Sequence, residues 1–414
     1  MIPVPEKRIA NFEKMGFGLF IHWGLYSQLG QGEWVQNLAP IDMKEYVKLM
    51  NTFTARDFDG REIAKTAKAA GMKYAILTTR HHDGFSLYDT CGLNEYDAPH
   101  SACGRDLVRE FVDGCNSEGI LPMFYHTTLD WHNSLFDSDF KEYQKYLRAS
   151  VEILCKNYGP IGGLWFDGNW SKKDVDWEED ALYSMIRNLQ PDAMIINNTG
   201  LDARGHIGNS YIDSVTFEQD KPALINRDGA EKYVAAEMCQ TLNTHWGLGA
   251  MDFKYKSLPE VIETLCFCRK YGANYLLNVG PTAEGKILPI QKAMLEEVGR
   301  WIAMTAKGSL YEGKPSAIKS YGKDFILDAG NKSYLYVHDL GVEGHDNIVI
   351  GVEGLGPRSF KNAKRKVKNV KWTDSGDNLN FTQDTQTGLL CVHCTGYTYG
   401  QNLVVRVAEI EYAD

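Results

Sequence analysis

Through the first three quarters of the chain, apolar residues fall into short unbroken runs, and between those runs they recur at helical spacing. The runs are "FGLFIH" (17–22), "KYAILTT" (73–79), "ILPMFYH" (120–126), "GGLWFD" (162–167), "AMIINN" (193–198), "IDSVTF" (212–217), "YVAAEMC" (233–239) and "ANYLLNV" (273–279). Because they are continuous rather than alternating, they predict parallel strands buried on both faces. Helical spacing fills 57–71, 104–119, 139–157, 178–190, 257–271 and 288–306. In "GRDLVREFVDGCNSEG", Leu107, Val108, Phe111 and Val112 share one face and Gly119 stops the helix. Only the connection between the sixth and seventh runs reads as irregular. Eight strands alternating with helices predict an α/β fold, a (β/α)8 barrel.

After about residue 308 the period shortens. "FILDAG", "SYLYVHDL", "NIVIGVEG", "VKNVKWT", "GLLCVHC" and "NLVVRVAEIEY" are separated by Gly, Asn and Asp turns and predict a small C-terminal all-β sandwich. The expected division is a catalytic barrel over 1–308 and a β-sandwich over 309–414. The basic run "KNAKRKVKN" (361–369) reads as a solvated strand edge, since lysines blunt exposed sheet edges.

Composition narrows the partners. The 414 residues carry a formal net charge of −10, which argues against a nucleic acid or an anionic membrane surface. No stretch of some 18 apolar residues occurs and "MIPVPEKRIANFEKMGF" has no apolar leader core, so no membrane span and a cytoplasmic location are expected. Nine cysteines lack paired CxxC spacing and read as free thiols. Oligomeric state is open, a homo-oligomer included. Nine Trp and 22 Tyr give a 12% aromatic content, a surplus suited to stacking flat, partly apolar ligands such as sugars.

In such a barrel the chemistry gathers where strands end. The first run delivers His22, with Glu33 and Trp34 following; the second delivers His81 and His82; the third Tyr125 and His126. The fourth delivers Asp167 and Trp170, the sixth ends at Glu218, the seventh carries Glu237, and Trp246 precedes the eighth. Polar groups interleaved with large aromatics suit a sugar, which has hydroxyls on its edges and an apolar C–H face. Gly280-Pro281-Thr282 lacks the spacing of a phosphate loop, so no nucleotide cofactor is expected. His81 and His82 are adjacent and would chelate one ion poorly within a strand, so no metal is expected. Asp167, after five apolar or glycine residues, emerges at the barrel mouth. Glycoside cleavage needs a second carboxyl group facing it, and Glu218 and Glu237 are the choices.

The blocks "FGLFIHWGLYS" with "EW" following, "KYAILTTRHHDGFSLYDT", "DLVREFVDGCNSEGILPMFYHTTLDWH", "GGLWFDG" and "NYLLNVGPTAEGKI" together resemble glycoside hydrolase family 29, the α-L-fucosidases. The likeness runs from about residue 12 to 306. It implies a retaining exo-hydrolysis of terminal α-L-fucosides on oligosaccharides or glycoconjugates, without metal or cofactor. Asp167 stands at the family's nucleophile. His22, Glu33, Trp34, His81, His82 and Tyr125 match positions that hold the fucose hydroxyls, and Trp246 matches the aromatic beside its C5 methyl. For the acid/base, "IDSVTFEQD" favours Glu218 and "AAEMCQTLNTHWG" offers Glu237 second; Ala236 stands where the family usually has tryptophan. Arg204 is offered as an arginine aimed at the site. Two other classes are consistent with the residues: a catalytically silent fucose-binding protein, and a metal-dependent hydrolase built around the histidines.

Overall fold

The computed structural model describes residues 1–341, 356–397 and 402–413. Eight parallel strands close into a barrel in chain order: β1 (Phe17–Ile21), β2 (Tyr74–Arg80), β3 (Leu121–Thr127), β4 (Gly163–Asp167), β5 (Met194–Asn197), β6 (Ser214–Glu218), β7 (Ala235–Thr241) and β8 (Asn274–Val279). Closure is made by β1 on β8, from Phe17 opposite Tyr275 to Ile21 opposite Val279. Every residue of β1, β2 and β8 is buried, as unbroken apolar runs require.

The barrel interior is filled, not hollow. Phe20, Tyr74, Ile76, Met123, Tyr125, Trp165, Ile196 and Leu276 belong to one buried cluster, and Ile9 and Phe12 of the helix Lys7–Glu13 pack into it. Large rings fit because small residues face them. A Cβ on Gly18 would fall 2.3 Å from the Tyr74 ring, so only glycine leaves that ring its place.

Helices Gly60–Ala69, Leu107–Glu118, Phe140–Asn157, Glu179–Leu189, Leu258–Lys270 and Pro289–Trp301 follow the expected segments. Asp106 caps the second of these through the Arg109 amide at 2.9 Å, and Gly119 ends it. Against expectation, the β5–β6 connection is as irregular as the β6–β7 one: neither carries a helix. "TGLDARGHIG" (199–208) explains this, having three glycines and no helical apolar stripe.

The chain resolves into two compact units, Met1–Lys256 with Asn274–Glu296, and Ser257–Ala273 with Glu297–Asp414. The second unit holds a five-stranded antiparallel sheet and a three-stranded one. The first comprises β9 (Lys314–Pro315), β10 (Phe325–Ala329), β11 (Lys332–Val337), β13 (Val367–Trp372) and β16 (Arg406–Tyr412). The second comprises β12 (Gly356–Phe360), β14 (Phe381–Asp384) and β15 (Leu389–Cys394). Leu335, Val370, Trp372 and Ile410 from one sheet share a core with Phe360, Leu390 and Val392 from the other, which makes a sandwich. The expected strand "NIVIGVEG" (347–354) lies outside the described residues. The basic run leads into β13, an edge strand among the described residues, with Lys364, Arg365, Lys366 and Lys368 exposed. All nine cysteines are free. Among the described residues no helix is long and apolar enough to cross a membrane.

Candidate active site

A cavity of about 790 Å³ opens at the C-terminal ends of the barrel strands, lined among others by His22, His81, His82, Tyr125, Asp167, Asn198 and Glu218, over Phe20 and Trp165. Trp34, Trp170 and Trp246 form aromatic walls.

Asp167 reaches the cavity because β4 is stopped sharply. Gly168 follows at φ 120°, and a Cβ there would fall 2.6 Å from the Leu129 amide nitrogen. The Thr128 amide (2.7 Å) and hydroxyl (3.0 Å) both donate to the Asp167 carbonyl. The carboxylate then turns inward and collects donors. Trp170 Nε1 donates to Oδ1 at 2.7 Å, Asn198 Nδ2 to the same oxygen at 3.3 Å, and the Tyr125 hydroxyl to Oδ2 at 3.1 Å. Oδ2 also lies 3.5 Å from His82 Nε2.

Glu218 ends β6 and turns into the same cavity, where Asn198 Nδ2 donates to Oε2 at 2.8 Å. Burial and the neighbouring charge of Asp167 push its pKa up to about 7, against the opposing pull of the Asn198 hydrogen bond.

Three imidazoles share one wall, with ring centroids 4.3 Å apart for His81–His82 and 5.6 Å for His22–His81. Both His81 and His82 face the cavity because β2 has already ended at Arg80. Hydrogen-bond partners set the tautomers of His22 and His82. Asn278 Nδ2 donates to the Trp246 carbonyl, so its oxygen accepts from His22 Nδ1–H at 2.7 Å. The Thr127 hydroxyl donates to the Leu129 carbonyl, so its oxygen accepts from His82 Nδ1–H, also at 2.7 Å. Burial lowers the pKa of His22 to about 3 and of His82 to about 4, and puts His81 well below the usual histidine range. Neutral at pH 7, His22 and His82 present Nε2 as an acceptor, which suits hydroxyl donors.

Of the residues singled out in the sequence, His22, Trp34, His81, His82, Tyr125, Asp167, Glu218 and Trp246 come together around the cavity. Glu33 and Glu237 do not line it. Glu33 lies behind the wall, where its Oε2 accepts from the Trp246 (3.1 Å) and Gly247 (2.8 Å) amides and so anchors the Trp246 loop. Glu237 sits inside the barrel, fully buried, accepting from the Tyr74 hydroxyl at 2.5 Å and Trp165 Nε1 at 3.0 Å. Burial drives its pKa up to about 7. Arg204 donates from Nε to the Glu218 carbonyl at 2.7 Å and turns its Nη1 toward Asp220 at 3.7 Å rather than into the cavity. Among the described residues no cluster of three or more His, Cys, Asp or Glu is placed to hold a metal.

Asn198 is the residue that strand-end reading passed over. The signal was present as the end of "AMIINN", but two successive asparagines do not announce which one faces inward. Asn197 turns out to Tyr183 (2.9 Å) and Glu179 (3.2 Å), and Asn198 turns in.

Known proteins share both the sequence pattern and the fold. A profile of the family described as alpha-L-fucosidase matches residues 5–307. The structure of alpha-L-fucosidase isoenzyme 1 from Paenibacillus thiaminolyticus superposes with a TM-score of 0.84 at 32% identity, covering 99% of each chain. The tissue alpha-L-fucosidase of Mus musculus is 29% identical over 409 residues, covering 92% of this chain and 86% of its own length. That of Homo sapiens is 30% identical over 336 residues, covering 74% and 70%.

Proposed function

The chain belongs to the alpha-L-fucosidase family, and from that premise we propose that it is a retaining exo-α-L-fucosidase in which Asp167 is the nucleophile and Glu218 the acid/base. The observation that carries the reading is the unlike environment of two carboxyl groups on one cavity. Asp167 is met by three donors and held as an acceptor, while Glu218 has its pKa pushed up to about 7 by burial and by Asp167.

In the first step an Asp167 oxygen attacks the anomeric carbon as the bond to the leaving oxygen breaks, and the Glu218 proton passes to that oxygen. In the second, Glu218 as carboxylate takes a proton from water, the water oxygen attacks the anomeric carbon, and the ester to Asp167 breaks, releasing fucose. Asn198 Nδ2 lies 3.3 Å from one oxygen of Asp167 and 2.8 Å from one of Glu218. That limits their separation to roughly 6 Å, which supports the spacing of about 5–5.5 Å used by retaining pairs. The acceptor nitrogens of His22 and His82 suit sugar hydroxyls, and Trp246 with Phe20 suits the methyl-bearing apolar side.

Asp167→Ala tests the reading on an aryl α-L-fucoside. Turnover is expected to fall about 10⁴–10⁶-fold. Azide should then restore part of it, forming a fucosyl azide of inverted anomeric configuration. Near-normal turnover by the variant would remove Asp167 from the role, and an inactive wild type that still binds fucose would make the chain a binding protein.

A further inference from the structure

The amide of Asn198 touches both carboxyl groups at once. It is buried, its backbone N–H extends the β4–β5 ladder to the Phe166 carbonyl at 2.8 Å, and its side-chain oxygen has its own donors. The Thr216 hydroxyl reaches Oδ1 at 3.1 Å and the Gly200 amide reaches it at 3.3 Å. With the oxygen so occupied the amide cannot usefully flip, and its two N–H bonds point to Asp167 Oδ1 and Glu218 Oε2.

On the proposed roles of those two residues, we infer that Asn198 is a positioning residue that couples them, holding the single negative charge they share as it moves from one to the other and back. The charge count is conserved through the cycle. Before reaction Asp167 is ionised and Glu218 carries a proton; in the covalent intermediate Asp167 is an ester and Glu218 is ionised; after hydrolysis the first state returns. In each state one N–H of Asn198 meets a carboxylate and the other a neutral carbonyl oxygen, so the amide stabilises both without moving. It also selects the reactive oxygen of the acid. Glu218 Oε2 accepts from Asn198, so the transferable proton sits on Oε1. Thr216, two residues before Glu218 on β6, keeps the amide oriented.

A mere structural tie between β5 and β6 would affect folding or substrate affinity; a coupling amide affects both chemical steps and the pH profile. The test compares wild type, Asp167→Ala, Asn198→Ala, Thr216→Val and Thr216→Ser, each checked for an unchanged melting temperature. Asn198→Ala is expected to lower kcat/KM roughly 10²-fold both on an activated aryl fucoside, which needs no acid, and on a fucosyl disaccharide, which does. Inhibition by fucose should change little. The alkaline limb of the profile should move to higher pH, because the Asn198 hydrogen bond opposes the rise in the Glu218 pKa. Thr216→Val should reproduce part of the loss and Thr216→Ser recover most of it. The coupling is overturned if Asn198→Ala changes rates less than threefold with an unmoved limb, if the loss appears only on the disaccharide, or if it lies in KM alone. A wild type inactive on α-L-fucosides, or an Asp167→Ala variant as active as wild type, would instead overturn the functional reading, and the coupling with it.

Discussion

The two ends of β6 carry buried carboxylates in opposite electrostatic settings. Asp213, just before the strand, is fully buried among three cations: Arg8 Nη2 at 2.9 Å, Arg187 Nη2 at 2.7 Å and Lys232 Nζ at 2.8 Å. The Ile195 amide adds a donor at 3.0 Å. Burial alone would raise its pKa, but Arg8 first, then Lys232 and Arg187, pull it below the ordinary carboxylate range. Glu218, at the other end, is also mostly buried, yet its charged neighbour is Asp167, and its pKa goes up to about 7. At the closed end of the barrel charge is compensated and the group holds the fold. At the open end two carboxyl groups share a cavity, and the pKa of one of them is carried up to about 7.

The sharpest break of this symmetry is Glu218→Gln. On a substrate with a poor leaving group, turnover is expected to fall about 10²–10⁴-fold, the usual worth of general acid–base catalysis. Its melting temperature should not fall, because the change removes a desolvated carboxyl from beside Asp167. Asp213→Ala should do the reverse. It leaves three cations around an empty position, and urea unfolding should show a loss of about 3–5 kcal/mol, while kcat of the folded fraction stays near that of the wild type.

Asp213 and Glu218 make stability respond to pH with opposite signs. Asp213 has a depressed folded pKa, so its stabilisation is complete above the unfolded value of about 3.9 and is lost as pH falls through the lower folded one. Glu218 and Glu237 are raised to about 7, so the folded state binds more protons than the unfolded chain between about 4.3 and that value. Each therefore makes stability decline as pH rises across that window. Unfolding curves from pH 3 to 8 should show a decline on the neutral side that Glu218→Gln flattens, and kcat/KM should fall as pH rises through about 7. A stability curve that climbs from pH 5 to 7, and climbs equally in the variant, would contradict the raised carboxyls.

Much of this was legible before the fold. Each of the eight barrel strands lies on one of the predicted runs, most of them unbroken and apolar because strands buried on both faces need no polar alternation, and the placement of Asp167 followed from the run ahead of it. What the runs do not carry is how far each strand extends and which of its last residues faces in. "YVAAEMC" stops at Cys239, whereas β7 continues to Thr241. Glu237 is thereby the third residue of a seven-residue strand and points into the core instead of emerging at the mouth. The irregular β5–β6 connection was equally hard to see, and it follows directly on Asn198 and supplies Leu201 and Asp202 to the cavity rim.

Glu237→Gln carries the smallest expected effect and separates the two glutamates most cleanly. The carboxyl group binds the Tyr74 hydroxyl and Trp165 Nε1, and Trp165 stacks on Tyr125 (5.6 Å, 22°), whose hydroxyl holds Asp167. A glutamine can keep the Trp165 bond through its oxygen and donate its amide to Tyr74 once that hydroxyl turns. The exchange retains both contacts, and it removes a carboxyl group whose pKa burial raises to about 7. Stability at pH 7 should therefore change by no more than about 1 kcal/mol, in the stabilising direction if in either, and turnover should stay within a few-fold on activated and poor leaving groups alike. The paired measurement with Glu218→Gln decides between the carboxyls. A folded Glu237→Gln variant that loses the poor-leaving-group substrate selectively, beside a Glu218→Gln variant that does not, would move the acid role into the barrel core and take the comparison between the ends of β6 with it.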